Sequence, residues 1–202
     1  MTIVIFNNVP IDYIWMGNDL KLNSKLYKDY KDTNKPKTEY MIVVVLGLPG
    51  SGKSYFANRL AESISASYIN SDRLRMELFP KRTYSELETA KVYQVMLERM
   101  DEAIDQRKNL VLDATFYKNK SREPLMAKNR GEVFFIEIQA DEDIIKDRLK
   151  KSRPYSEADL GVYQLIKQLW EPLEGPHLTL QSTNTNIGTM LEKALKYLKN
   201  DT

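Results

Sequence analysis

The residues with the clearest chemical purpose lie together at Gly47-Leu48-Pro49-Gly50-Ser51-Gly52-Lys53-Ser54, which fits G-x-x-x-x-G-K-[ST]. Gly47, Gly50 and Gly52 permit backbone angles that turn successive N–H groups toward a phosphate chain, with Ser51 in the same cradle. Lys53 supplies a point charge for β- and γ-phosphates, and Ser54 offers a hydroxyl to Mg²⁺. A helix opening at Lys53 adds its positive end. The expected ligands are a nucleoside triphosphate, taken as ATP, and Mg²⁺.

A second group of residues suits an acceptor. Asp72, in Asn70-Ser71-Asp72-Arg73-Leu74-Arg75, stands where a short strand gives way to a helix. An Asp at the carboxyl edge of a sheet can take a hydroxyl proton as the oxygen attacks phosphorus. It can equally cap the helix. Arg75, one turn on, either steadies Asp72 or grips a phosphate on the acceptor. Asp113 ends the apolar run LVLDA and is expected to orient Mg²⁺, to pair with an acceptor-side Arg, or to serve only as a turn residue. Arg122 lies on the next helix, either at the acceptor or as a solvated helix charge. Arg148 and Arg153 bound a basic connection between two polar helices. A mobile lid there would bring arginines to the charge that develops on a transferring phosphoryl group; a solvated basic helix end is the plainer alternative.

The elements that must position these residues alternate regularly. Strands are predicted at 41–46, 67–70, 110–114, 133–138 and 177–182. Helices are predicted at 53–65, 72–79, 85–108, 119–129, 141–151, 156–171 and 187–198. MIVVVL at 41–46 reads as a strand buried on both faces. Leu87, Ala90, Tyr93, Leu97, Met100 and Ile104 recur at helical spacing and read as a core stripe. The pattern predicts an α/β P-loop NTPase: a mostly parallel five-stranded sheet, helices on both faces, and a helical lid. Residues 40–202 form that domain. Residues 1–39 read as an extension, with a strand at 2–6 and a linker-like stretch rich in Lys and Asp from 19 to 39.

Bulk properties narrow the classes. The 202 residues are 42% hydrophobic and 29% charged, with net charge +2, as in an ordinary globular protein. The absence of cysteine excludes disulfides and thiolate metal sites, and one histidine, His177, is too few for a histidine-based zinc site. No apolar run approaches the roughly 20 residues of a membrane helix. The N-terminus lacks the marks of a signal peptide, so a cytoplasmic protein without membrane partners is expected. Nothing in the composition specifies an oligomeric state.

The set GLPGSGKS (47–54), SDRLR (71–75), LVLDATFYKNKSR (110–122) and RLKKSR (148–153) resembles, in the same order, the P-loop polynucleotide 5′-hydroxyl kinases and related zeta-toxin-like small kinases. The resemblance implies that Asp72 is the general base and that Arg75 contacts the acceptor. It also implies that Asp113 belongs to a D-[AT]-[TN] element and that Arg148 and Arg153 are lid arginines. It further implies ATP-dependent phosphorylation of a polynucleotide 5′-hydroxyl end, making a nucleic acid the substrate. The alternative is a small or modified acceptor, such as a nucleotide sugar, a hydroxymethylated base or a nucleoside monophosphate. A non-catalytic nucleotide-binding module stands behind both, and the joint presence of Lys53, Ser54, Asp72 and Asp113 argues against it. Residues 1–39 have no counterpart in the resemblance.

Overall fold

The computed structural model describes residues 3–6, 9–16, 19–22, 40–127, 133–151 and 158–199. Two compact units divide the chain, Met1–Thr38 and Glu39–Thr202. In the first, β1 (Ile3–Phe6), β2 (Val9–Met16) and β3 (Asp19–Leu22) pair antiparallel in the order β1-β2-β3. The strand expected at 2–6 is thus joined by two more. One of them, β3, occupies the start of the stretch read as linker.

The second unit is built on β4 (Ile42–Leu46), whose five residues are all fully buried. β-Branched side chains suit a strand covered on both faces. β5 (Ser67–Asn70), β6 (Leu110–Asp113), β7 (Val133–Gln139) and β8 (Leu178–Gln181) complete a sheet ordered β5-β6-β4-β7-β8. Every neighbouring pair is parallel, so the sheet is parallel throughout. The chain leaves β4 toward β5 and β6, then crosses to β7 and β8. The strand order therefore reverses at β4, and a crevice opens beyond its carboxyl end.

Helices cover both faces. On one, α3 (Glu86–Asp105) and α4 (Asn119–Ala127) pack Met96, Met100 and Leu125 against Val44, Leu46 and Leu112. On the other, α1 (Lys53–Ser63) and α7 (Ile187–Leu198) pack Phe56, Leu60, Met190 and Ala194 against Val43, Val45 and Ile136. The buried face of α3 is Glu88, Val92, Met96 and Met100, spaced four apart, rather than the stripe beginning at Leu87, which is 85% exposed. Tyr93, Leu97 and Ile104 flank that face as partly buried contacts. The remaining helices are α2 (Ser71–Leu78), α5 (Glu142–Leu149) and α6 (Leu160–Gln168), the last two on either side of the basic connection. No helix among the described residues is long and apolar enough to cross a membrane.

Candidate active site

The crevice at the end of β4 is a cleft of about 790 Å³ whose walls include Gly50, Gly52, Lys53, Ser54, Asp72, Arg73 and Arg148. Its floor is the turn from β4 into α1. Gly52 caps α1 at φ 96° with no side-chain hydrogen bond, so the first-turn amides keep their donors for an anion. A Cβ at Gly52 would meet Ser182 Oγ at 2.8 Å and Arg148 Nη1 at 3.0 Å. Gly47 lies so close to β7 that a Cβ would stand 2.3 Å from the Ile138 carbonyl oxygen. Gly47 requires glycine for space as well as for backbone angle, whereas at Gly52 the left-handed φ is the stronger demand, since its neighbours are side-chain ends. The Lys53 ammonium makes no ion pair among the described residues. Together, uncapped amides and an unneutralised ammonium form a phosphate-binding cradle.

Arg148 backs this cradle. Its Nη1 donates to the carbonyls of Gly50 (3.3 Å) and Ser51 (2.9 Å), its Nη2 to the Thr183 carbonyl (2.8 Å), and its Nε to Asn184 Oδ1 (3.2 Å). Burial lowers its pKa. The side chain reaches the cleft wall, and its donors join the phosphate loop to the segment after β8. Arg153 lies outside the described residues.

At the other end of the cleft, parallel register brings Asn70 of β5 beside Asp113 of β6. Asn70 Nδ2 donates to Asp113 Oδ2 at 2.5 Å, and Tyr68 Oη donates to the same oxygen at 2.7 Å. Burial, followed by the Asp113 charge, pushes the Tyr68 phenol well above its ordinary pKa, so it remains a donor. Asn70 Nδ2 also stands 3.4 Å from Ser54 Oγ, linking Ser54 to Asp113 through one amide. Asp113 is fully buried, and its Oδ1 has no hydrogen-bond partner. A carboxylate oxygen left over, with a serine hydroxyl joined to the same carboxylate through the Asn70 amide, offers oxygen ligands of the kind a hard divalent cation or its water takes, so Ser54 and Asp113 fit Mg²⁺.

Asp72 sits in the first turn of α2 and lines the cleft with Lys53 and Ser54. The cap of α2 is Asn70, whose Oδ1 accepts from the Arg73 amide at 2.9 Å. Capping therefore does not account for Asp72.

Two arginines expected at the acceptor lie elsewhere. Arg75 is buried against α3. It pairs with Glu88 Oε2 at 3.3 Å, donates to Thr89 Oγ1 at 3.1 Å and lies 4.9 Å from the Tyr84 ring centre. Burial works to raise the Glu88 pKa, but the hydroxyl and amide of Thr83, the Tyr84 amide and Arg75 outweigh it and hold the carboxyl below its ordinary value. Arg75 thus docks α2 onto α3. Arg122 is fully buried and donates to the carbonyls of Phe116 (2.7 Å), Tyr117 (3.0 Å), Pro172 (2.9 Å) and Glu171. It is neither a solvated charge nor a wall of the cleft. It staples the loop after β6 to the loop after α6, and it holds Phe116 at φ 41°, a conformation that costs a non-glycine residue energy.

Tyr68, Arg73 and the segment Ser182–Thr185 line the cleft, and sequence reasoning missed them. Asn70 alone carried a legible signal, as an Asn between strand and helix. Tyr68 had none, because only the β5–β6 register brings it to Asp113.

A family profile described as an AAA domain matches residues 42–173. A "Probable gluconokinase" of Dictyostelium discoideum is 19% identical over 194 residues, covering 88% of this chain and 96% of that protein. Among solved structures, a sugar kinase from Janibacter sp. HTCC2649 superposes with TM-score 0.63 at 20% identity, covering 79% of this chain and 95% of that one. A gluconokinase from Sinorhizobium meliloti 1021 gives TM-score 0.62 at 18% identity, with 79% and 92% covered.

Proposed function

The chain belongs to the AAA-domain family of P-loop kinases, and from that premise we propose that it transfers the γ-phosphoryl group of ATP to a hydroxyl of a small acceptor. One observation carries the reading. Asp72 faces the same cleft as Lys53 and Ser54, on a helix whose cap is another residue. A carboxylate there suits proton removal from an attacking hydroxyl. Lys53 and the α1 amides hold the β- and γ-phosphates and neutralise charge as it moves onto the leaving oxygen. Ser54 and Asp113 would hold Mg²⁺, which supplies charge neutralisation when bound. Tyr68 and Asn70, by donating to one Asp113 oxygen, keep the other oriented.

Small acceptors are preferred to a polynucleotide end for two reasons. The relatives above are named for gluconate and sugar. The arginine that the motif resemblance would assign to the acceptor, Arg75, is engaged by Glu88.

The test is transfer of labelled γ-phosphate from ATP to gluconate, other sugar acids, neutral sugars and a 5′-hydroxyl oligonucleotide. Transfer to a small hydroxyl compound is expected. Asp72→Asn should reduce it about 10²–10⁴-fold while Mg·ATP affinity holds. Labelling of the oligonucleotide alone, or near-native turnover by the variant, would overturn the proposal.

A further inference from the structure

A second cavity, of about 280 Å³, lies behind the phosphate loop, against Leu48 and Ser51 and beneath α5 and α6. It is separate from the cleft that holds Lys53 and Asp72. Glu137 of β7 projects into it from the same sheet face as Phe135, where apolar side chains otherwise prevail. The residue is 8% exposed, yet its carboxylate accepts no hydrogen bond from any described residue. A mostly buried carboxylate that opens onto a cavity with no protein donor on it has acceptor capacity left for a ligand's hydrogen-bond donors.

The surroundings say which ligand. His177 Nε2 stands 4.0 Å from Glu137 Oε2, beyond hydrogen-bond reach. His177 Nδ1 donates instead to the Gly175 carbonyl at 2.8 Å. Charge is already balanced elsewhere. Burial lowers the Arg122 pKa, and the charges of Glu171 and then Glu137 act against that. At the rim, Glu142 is paired with Lys146 (3.0 Å) and Lys167 (2.5 Å). Glu137 therefore lacks hydrogen-bond donors rather than positive charge. Tyr163 and Trp170 add aromatic wall suited to C–H surface.

We propose that this cavity binds a small neutral polyhydroxylated molecule, with vicinal hydroxyls donating to the two Glu137 oxygens and carbon-bound hydrogens against Trp170. The volume lies just below the range of drug-sized pockets, roughly 300–1,000 Å³, and suits a single sugar-sized ring or chain. The site stands independently of the acceptor reading for the P-loop cleft.

The experiment titrates the full chain with glucitol, myo-inositol, glucose and ribose by calorimetry, with methylammonium as the cationic probe. Trp170, one of two tryptophans with Trp15, supplies a fluorescence readout. At least one polyol should bind saturably and methylammonium should not. Glu137→Gln should weaken that polyol about tenfold or more, as expected for loss of hydrogen bonds to a charged acceptor, and Glu137→Met at least as much. Mg·ADP affinity should be unchanged in both variants, which verifies their fold. Incubation with ATP then separates two sources of the same chemistry: a polyol recovered phosphorylated is an acceptor, and one recovered unchanged is a second ligand. The proposal holds in either case. It is overturned if no polyol binds saturably, if methylammonium binds in preference, or if Glu137→Gln binds the polyol as wild type does.

Discussion

Individual side chains in this protein divide by what their polar atoms still lack. Lys53 at the cleft and the buried Asp113 Oδ1 have capacity left, and Arg75 keeps one unpartnered donor, Nε, beside its bonds to α3, whereas Arg122 and Arg148 are held by protein groups. For Arg122 this has a direct consequence. Arg122→Met takes a donor from four backbone carbonyls, of which that of Tyr117 keeps the Glu171 amide, and releases the strained turn at Phe116. Breaking a buried charged network typically costs about 3–5 kcal/mol. Urea denaturation should show a loss of that size. An unchanged midpoint with a raised KM for acceptor would return Arg122 to substrate contact. Lys53→Ala should behave oppositely. Phosphoryl transfer should fall steeply in a steady-state assay while the denaturation midpoint holds, because the ammonium supports only bound phosphate.

Among elements, α5 and α6 are tied by Glu142, which bonds Lys167 across the two helices and Lys146 within one. The bonds to Lys167 and then Lys146 bring the Glu142 pKa down to about 2 from an ordinary 4.5. A depressed carboxyl stabilises the fold above its unfolded value and loses that contribution as pH falls through the folded one. Glu142→Gln should therefore melt below wild type at pH 6, and the gap should close between about pH 4.5 and 2. Melting curves across that window check it, and a gap unaffected by acid would mean that the ion pairs contribute nothing. High salt should narrow the gap as well, since all three groups are partly exposed. In α3, Met96 is fully buried against the sheet, and Met96→Ala should cost about 2–5 kcal/mol by the same denaturation assay.

At the scale of the whole molecule, the second unit contains both hydrophobic clusters and every residue of the cleft. A chain lacking Met1–Thr38 should bind Mg·ADP with unchanged Kd and unfold in one cooperative transition. Weakened binding in calorimetry would show that the three-stranded unit supports the nucleotide site. The parallel order β5-β6-β4-β7-β8 accounts for the placement of that site: the loops after β4, β5 and β6 all reach the one edge where the order reverses.

What the sequence by itself determined is local and periodic. A β-branched run, a glycine turn and Lys-Ser sufficed for the phosphate cradle, because those requirements lie in one continuous stretch, residues 41–54. The alternation of strands and helices sufficed for the layered parallel sheet. Side-chain partnership across the chain was decided only in three dimensions. Asp72 and Arg75 are one turn apart, yet one faces the cleft and the other faces Glu88. Their direction depends on how α2 rolls against α3. The buried face of α3 shares Met100 with the expected stripe and otherwise runs beside it, for a related reason: a helix carrying apolar residues on a broad face is oriented by the sheet it meets, not by its own pattern. Tyr68 and Glu137 became site residues through strand register and layer packing, which bring together groups tens of residues apart that no spacing in the chain connects.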